Sequence, residues 1–145
     1  FKAVFDARYE AHCMDKTRPY PGVPELLKAL KTGGARLAVL SNKSDAFVQT
    51  IVSGIFGAGF FDAVRGQLDG IPKKPAPDGV WSLLKELSVS RENALFIGDS
   101  DVDILTAKNA GLPSAGAIWG FRGREELQKA GADFLVEAPK EIAAL

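Results

Sequence analysis

The sequence predicts an α/β fold, a Rossmann-like parallel sheet in three layers with helices on both faces. Segments with the apolar spacing of helices alternate with short apolar runs from Pro24 to the end of the chain. Strands that alternate with helices form parallel sheets covered on both faces. The chain has 145 residues, of which 46% are hydrophobic, and this length and composition suit one globular domain with its own core.

The first four predicted elements are helix, strand, helix and strand. PELLKALKTGG has helical spacing and ends in glycines, which favour a helix C-terminus, and RLAVLSN is a short apolar run typical of a buried strand. SDAFVQTIVSGIFG predicts a second helix, with Ser44 or Asp45 as its cap. FDAVRG predicts a weaker strand, followed by the loop GQLDGIPKKPAP, which is rich in Gly and Pro.

The remaining elements repeat this alternation with clearer signals. DGVWSLLKELSV is amphipathic, because Val80, Leu83, Leu84 and Leu87 fall on one side of a helix. ALFIGD predicts the clearest strand and DVDILTAKNAG the clearest helix, which Gly111 closes. SAGAIWG, REELQKAG, DFLVE and PKEIAAL then predict a strand, a helix, a last strand and a short terminal helix.

The N-terminal segment allows two interpretations. Alternation in FKAVFD favours a strand that ends in an acid, whereas Phe1, Val4, Phe5 and Tyr9 fit a helical stripe over a longer window. We favour the helix. The following stretch, TRPYPGVP, contains three prolines and predicts a stiff linker.

The composition excludes several classes of function. The 18 basic and 18 acidic residues cancel, whereas a nucleic-acid-binding protein usually carries a basic excess. No apolar run approaches the roughly 20 residues that span a bilayer, and no signal peptide is visible. Cys13 is the sole cysteine, which excludes a disulfide framework. We therefore expect a cytoplasmic protein that binds neither nucleic acid nor membrane.

Three aspartates, at positions 99, 101 and 103, follow the clearest predicted strand. An EF-hand calcium loop is excluded, because Ile104 and Ala110 stand where that loop needs Gly and Glu. Asp101 suits a helix N-cap, and acids in a first helical turn gain from the macrodipole. Asp99 and Asp103 also suit a hard cation such as Mg²⁺, which takes one or two carboxylates with waters and phosphate oxygens. The spacing alone leaves both explanations open.

Two further polar groups follow predicted strands. Ser41 and Asn42 end a buried strand and open a helix, where side-chain donors and backbone N–H groups bind anions, although ordinary capping is the simpler explanation. Ser41 is not expected to be a nucleophile, because the sole histidine, His12, lies in the N-terminal segment. In KKPAP, proline limits the freedom of a lysine and would help to aim its charge, although a solvated loop is the simpler alternative. WGFRG lacks the dinucleotide-binding spacing and predicts a turn.

Taken in order, these segments resemble the haloacid dehalogenase-like hydrolases, a superfamily mostly of Mg²⁺-dependent phosphatases. LAVLSNK resembles the second motif, an apolar strand that ends in Ser or Thr, and KKPAPD resembles the third, a lysine before Pro-x-Pro. FIGDSDVDILTAKNAG resembles the fourth, Gly-Asp-Ser-x-x-Asp with a trailing Ala-x-x-Ala-Gly. PYPGV, AIWGFRG and KAGADFLVEAP are similar to the phosphoglycolate phosphatase branch. The resemblance covers nearly the whole chain from Pro19 onward.

The resemblance implies a role for each polar residue of the three motifs. Ser41 and Asn42 would hold phosphate oxygens, and Lys74 would be a catalytic residue that neutralises the charge of the nucleophile and the phosphoryl group. Asp99 would bind Mg²⁺, and Asp103 would ligate it through water or orient the site. Phosphoryl transfer depends mainly on positioning and electrostatic stabilisation, and these residue types supply both.

The nucleophile that the resemblance implies is absent from the sequence. The family uses the first Asp of an Asp-x-Asp-Gly-Thr motif, which forms an aspartyl-phosphate, and no such motif occurs here. FKAVFDARYE imitates its strand superficially, but Arg8 replaces the second aspartate, so Asp6 is not assigned as the nucleophile. We expect residues 1–16 to be a remnant of the family's helical cap, 17–24 a linker, and 25–145 a core domain without its central strand.

The sequence therefore predicts the incomplete core of a Mg²⁺-dependent phosphatase that hydrolyses a small phosphomonoester, with 2-phosphoglycolate as the leading substrate. Either the central strand lies outside this chain, which is then inactive by itself, or residues 1–6 substitute for it. A non-catalytic module that binds phosphate or a partner is the alternative from another class. A pyrophosphatase or a phosphomutase is the alternative within the family. We expect a monomer or a homodimer.

Overall fold

Helices and strands alternate along residues 18–145, which are the residues that the computed structural model describes. The helices are α1 (Val23–Thr32), α2 (Asp45–Phe56), α3 (Asp78–Leu87), α4 (Asp101–Ala110) and α5 (Arg124–Ala130). The strands are β1 (Ala38–Ser44), β2 (Ala63–Gln67), β3 (Phe96–Gly98), β4 (Ser114–Ala117) and β5 (Phe134–Val136). Short 3-10 helices span Arg91–Asn93 and Pro139–Ala144. None of the described helices is both long and apolar enough to cross a bilayer.

The elements predicted from Pro24 onward are confirmed, with shifts at their ends. Strand β1 begins at Ala38 and continues through its polar residues, because Ser44 still pairs with Gln67 of β2 beyond an irregularity in the ladder. The predicted terminal helix is a 3-10 helix. The predicted N-terminal helix and the alternative strand at residues 1–6 both lie outside the described residues, and the division into cap remnant, linker and core stays a prediction.

The strands form two parallel sheets. β1 pairs with β2, with Ala38 opposite Ala63, while β4 pairs with β3 on one side and with β5 on the other. Within residues 18–145 the strand orders are β1-β2 and β3-β4-β5, so β1 and β3 each keep one edge that no described strand occupies. The predicted α/β class with parallel strands is confirmed, and within residues 18–145 its strands lie in two sheets rather than one.

Burial differs between the inner strand β4 and the strands β1 and β3, each of which has one edge that no described strand occupies. All four residues of β4 are buried, because it has a strand on each side. In contrast, no residue of β1 is buried, and Ile97 in β3 is 41% exposed. Strands of a parallel sheet are normally covered on both faces, so this exposure shows that the side of the core between β1 and β3 is uncovered within the described residues.

Two apolar clusters cover opposite faces of the three-stranded sheet. One cluster, which includes side chains of α3 and α4, packs against Phe96. The other, which includes side chains of α1 and the C-terminal 3-10 helix, packs against Leu95. Successive residues of an extended chain point to opposite faces, so helices lie on both sides of this sheet. Leu40 of β1 also packs against the first cluster, which therefore joins the two sheets.

Candidate active site

The candidate active site lies at the carboxyl ends of β1 and β3, where ligand sites of parallel sheets are found. Ser41 and Asn42 belong to β1, and Lys74 to the loop between β2 and α3. Asp99 follows β3, and Asp103 lies in the first turn of α4. Hydrogen bonds connect Asn42 to Lys74, Lys74 to Asp103 and Asp103 to Asp99. The fold thus brings together residues that are far apart in the sequence.

The side chain of Lys74 forms an ion pair with Asp103. Lys74 Nζ lies 2.5 Å from Asp103 Oδ1, and the two side chains are only 13% and 10% exposed. The ammonium also lies 5.9 Å from the centre of the Phe96 ring. A lysine held in this way is not a solvated loop residue, because charge-assisted hydrogen bonding fixes its head at one place.

Asn42 holds the backbone of the Lys74 loop. Asn42 Nδ2 donates to the Lys74 carbonyl oxygen at 3.0 Å, and the Lys74 N–H donates to Asn42 Oδ1 at 2.9 Å. Asn109 Nδ2 donates to the next carbonyl, that of Pro75, at 2.9 Å. An asparagine amide carries two hydrogens. Within residues 18–145 one of those of Asn42 has no acceptor and can bind a ligand, while the other hydrogen and the amide oxygen position the backbone of Lys74.

Ser41 lies beside this loop. Ser41, Asn42 and Lys74 line one pocket, and Ser41 Oγ accepts a hydrogen bond from the Lys43 N–H at 3.2 Å. A hydroxyl that accepts one hydrogen bond can still donate its own hydrogen. The three residues predicted to bind phosphate are therefore neighbours, with one cation and two kinds of polar donor.

Both carboxylate oxygens of Asp103 are used by neighbouring groups. Asp103 Oδ2 accepts hydrogen bonds from the Asp99 N–H, the Ser100 N–H and the Ser100 hydroxyl, at 3.1 to 3.3 Å, and Oδ1 pairs with Lys74. A Cβ added to Gly98 would lie 2.1 Å from Asp103 Cβ, so only glycine fits beside it. These contacts suit a residue that orients the site rather than a direct metal ligand.

The N-cap of α4 is Ser100, and the prediction of Asp101 as the cap is wrong. Asp103 occupies the third helical position and accepts from the Ser100 N–H, which makes a capping box. Asp101 is the first helical residue, and within residues 18–145 its Oδ1 accepts a hydrogen bond only from the Val102 N–H. The physical reason is that a side chain three residues into the helix reaches back to the N-cap backbone.

Asp99 is held by the loop that follows β4. The Phe121 N–H donates to Asp99 Oδ2 at 3.1 Å, and the Arg122 N–H donates to the Asp99 carbonyl oxygen at 3.2 Å. No hydrogen bond from residues 18–145 reaches Oδ1 of Asp99. This oxygen is therefore available as a ligand atom.

The described residues fit one side of a magnesium site. Residues 18–145 contain no group of three or more His, Cys, Asp or Glu side chains that could hold a metal ion. Mg²⁺ is commonly bound through one or two carboxylates, with waters and substrate phosphates completing its shell. Asp99 Oδ1 matches one such carboxylate, while both oxygens of Asp103 already accept hydrogen bonds. The donor set thus fits Mg²⁺ with Asp99 as a direct ligand, and Asp103 is placed to ligate through water or to orient the site.

Sequence reasoning missed four contributors to the site: Gly98, Ser100, Gly120 and Phe121. Ser100 carried a usable local signal, because Ser-x-x-Asp before a helix is typical of a capping box. Gly120 and Phe121 had none, since WGFRG is a turn as predicted but lies against Asp99 only through tertiary contacts.

The sequence comparisons agree with this architecture. A family model described as haloacid dehalogenase-like hydrolase matches residues 1–117. The chain is 36% identical over 142 residues to a phosphoglycolate phosphatase of Aquifex aeolicus (strain VF5), an alignment that covers 98% of this chain and 65% of the relative. It is 30% identical over 141 residues to a phosphoglycolate phosphatase of Escherichia coli (strain K12), over 97% of this chain and 56% of the relative. The chain thus spans less than two thirds of either relative.

A comparison with solved structures gives the same result. CbbY from Rhodobacter sphaeroides in complex with phosphate is 31% identical with a TM-score of 0.82, over 97% of this chain and 64% of that one. A candidate phosphoglycolate phosphatase from Lactobacillus delbrueckii subsp. bulgaricus is 41% identical with a TM-score of 0.90, over 97% of this chain and 58% of that one. With the family model matching most of its length, the chain belongs to the haloacid dehalogenase-like hydrolase family.

Proposed function

We propose that the protein containing this chain is a cytoplasmic, Mg²⁺-dependent phosphatase that hydrolyses a small phosphomonoester, with 2-phosphoglycolate as the leading substrate. The observation that carries the proposal is the buried Lys74–Asp103 pair, which holds a cation beside Ser41 and Asn42. The relatives from Aquifex and Escherichia, which are phosphoglycolate phosphatases, support the choice of substrate.

In this proposal the residues of the chain bind the phosphoryl group and stabilise its charge. Ser41 and the second amide hydrogen of Asn42 donate to phosphate oxygens, and Lys74 offsets the negative charge that the transition state spreads over them. Asp99 would hold Mg²⁺ through Oδ1, and Asp103 would orient Lys74 or ligate the metal through water. The metal, when bound, neutralises charge on the phosphoryl oxygens.

The proposed nucleophile is an aspartate on a strand outside the described residues. Its carboxylate attacks phosphorus, the ester P–O bond breaks, and the leaving oxygen takes a proton from a general acid; water then hydrolyses the aspartyl-phosphate. A parallel strand between β1 and β3 would end at the edge where Lys74 lies. It would also give partners to the backbone groups on both open edges, which are otherwise costly to leave unpaired when buried.

Phosphatase assays on the protein with its complete N-terminal region test this proposal. We expect Mg²⁺-dependent release of phosphate from 2-phosphoglycolate. Asp99→Asn removes a charged ligand, so we expect weaker Mg²⁺ binding and kcat lower by about 100-fold or more. Asp69→Asn, at an exposed position in the loop after β2, is the matched control. An unchanged magnesium dependence in Asp99→Asn would refute the assignment.

A second candidate function is a module that binds phosphate or a partner without catalysis. The observation that favours it is the lack of an Asp-x-Asp-Gly-Thr motif in this sequence. The coding sequence upstream of Phe1 separates the two functions: that motif supports the enzyme, whereas a true start at Phe1 favours the module. Assays with pyrophosphate and sugar phosphates test the alternatives within the family.

A further inference from the structure

The loop between β4 and α5 donates two hydrogen bonds to Asp99. The Phe121 N–H binds the side chain at Oδ2, over 3.1 Å, and the Arg122 N–H binds the main chain of the same residue, over 3.2 Å. Two successive backbone donors therefore fix both the position of Asp99 and the direction of its carboxylate. Backbone donors make a rigid support, because they carry no rotamer freedom of their own.

The loop touches Asp99 closely enough to restrict its own sequence. A Cβ added to Gly120 would lie 2.3 Å from Asp99 Cβ and 2.6 Å from Asp99 Oδ2. Real side chains do not approach so closely, so an alanine here would move either the loop or the aspartate. Gly120 also donates its N–H to the Ala117 carbonyl oxygen at 3.1 Å, which ties this turn to the end of β4. The contact with Asp99 is thus built from the backbone of a fixed turn.

The side chain of Phe121 does not explain why this loop lies here. Phe121 is 72% exposed, and the Arg122 guanidinium lies 4.5 Å from the centre of its ring. An aromatic residue that packs a loop against a core would be buried. The backbone N–H of Phe121, rather than its ring, is therefore the group that binds at the site.

We propose that residues 120–122 are a positioning element for Asp99. The Phe121 N–H occupies Oδ2, so the carboxylate presents Oδ1 to a divalent cation in one orientation. Binding of a divalent cation at this place rests on the proposed function, whereas the hydrogen bonds that hold Asp99 do not depend on that function. Groups that orient a metal ligand typically change metal affinity by about 10- to 100-fold when they are removed, and we expect an effect of this size.

Amide hydrogen exchange measured by NMR tests the hold on Asp99 without any metal. In the complete protein, Asp99→Ala removes Oδ2 but keeps the main-chain carbonyl. Loss of a hydrogen bond to a charged group predicts that the Phe121 amide exchanges about 10-fold faster or more, while the Arg122 amide changes much less. Equal protection of the Phe121 amide in both proteins would overturn the proposal.

Calorimetric titration with Mg²⁺ tests the consequence for the cation. Phe121→Pro removes the N–H and the ring, whereas Phe121→Ala removes only the ring, so the ratio of their dissociation constants isolates the N–H. We expect Phe121→Pro to bind Mg²⁺ at least about 10-fold more weakly than Phe121→Ala. Equal affinities would overturn the proposal.

A second pair of variants covers the case in which proline disturbs the loop. Gly120→Ala is expected to weaken Mg²⁺ binding, whereas Gly33→Ala, at a glycine with only ordinary contacts after α1, is not. Equal Mg²⁺ affinities in these two variants would also count against the positioning role. If the unsubstituted protein binds no Mg²⁺, the proposed function fails and the cation part of this inference fails with it. If it binds Mg²⁺ and all four variants match it, only the positioning role fails.

Discussion

The two sheets of the molecule differ in how completely they are built. In the β3-β4-β5 sheet the inner strand is fully buried, and Asp103, shortly after β3, accepts hydrogen bonds through both of its carboxylate oxygens. In the β1-β2 sheet no residue of β1 is buried. The Ser41 hydroxyl and one amide N–H of Asn42 have no acceptor within residues 18–145. The sheet that carries the carboxylates is thus organised before a ligand arrives, whereas the sheet that carries the phosphate donors is only partly supported.

The helix caps show the same difference. Ser44 precedes α2 without a side-chain cap, while Ser100 precedes α4 in a capping box with Asp103. Lys74, from the loop after β2, connects the two sheets through its pair with Asp103. Lys74, which lies outside both sheets, thus connects the residues after β3 to those of β1 through its hydrogen bonds with Asp103 and Asn42.

The largest expected effect is on turnover by the 145-residue chain alone. Within residues 18–145 β1 and β3 each have one edge without a partner strand, and the sequence contains no Asp-x-Asp-Gly-Thr motif, so we expect no release of phosphate from 2-phosphoglycolate above background. Adding the upstream region is expected to restore Mg²⁺-dependent turnover. Robust turnover by the chain alone would mean that the 145 residues already contain a nucleophile beside β1, and would contradict our interpretation of the N-terminal segment.

The next effect concerns the connection between the halves. In the proposed function Lys74 stabilises the charge of the phosphoryl group, so we expect Lys74→Ala to lower kcat in the complete protein by about 10²- to 10³-fold. Lys73→Ala changes the adjacent, exposed lysine and should leave kcat near its original value. A similar loss in both variants would show that net charge in the loop matters rather than the position of Lys74.

A smaller effect is expected on stability, measured by urea unfolding of the chain. Leu127 is fully buried against β4, so Leu127→Ala should lower the free energy of unfolding by about 2–5 kcal/mol. Leu40→Ala, in the half-buried β1, should cost less than about 2 kcal/mol because less apolar area is lost. Should the two cost the same, the open edge of β1 must be covered by another part of the chain.

The smallest effect compares the two caps. Ser100→Ala removes a hydroxyl that donates to Asp103, and we expect it to lower the free energy of unfolding by about 1 kcal/mol. Ser44→Ala removes a hydroxyl that caps no helix, and we expect a loss below about 0.5 kcal/mol. Thermal unfolding of both variants measures the difference. A larger loss of unfolding free energy for Ser44→Ala would contradict the conclusion that the cap of α4 is the better built of the two.

The sequence by itself determined the order and type of the elements from Pro24 onward. Apolar periodicity and glycines at helix ends are local signals, which is why α4 and its closing Gly111 could be predicted. Ser41 and Asp99 could also be named, because chemistry and resemblance both pointed to strand ends, whereas Lys74, which lies in a loop, could be singled out only through the resemblance. The single local error, Asp101 as the cap, came from a choice between two neighbours that only side-chain geometry resolves.

Only the tertiary structure decided how those residues are used. Lys74 and Asp103 meet across 29 positions of sequence, Asn42 reaches Lys74 across 32, and Phe121 reaches Asp99 across 22. No local pattern encodes such contacts, because they depend on how strands and loops are placed at one edge of the sheets. In that placement both oxygens of Asp103 accept hydrogen bonds, while Oδ1 of Asp99 accepts none from residues 18–145.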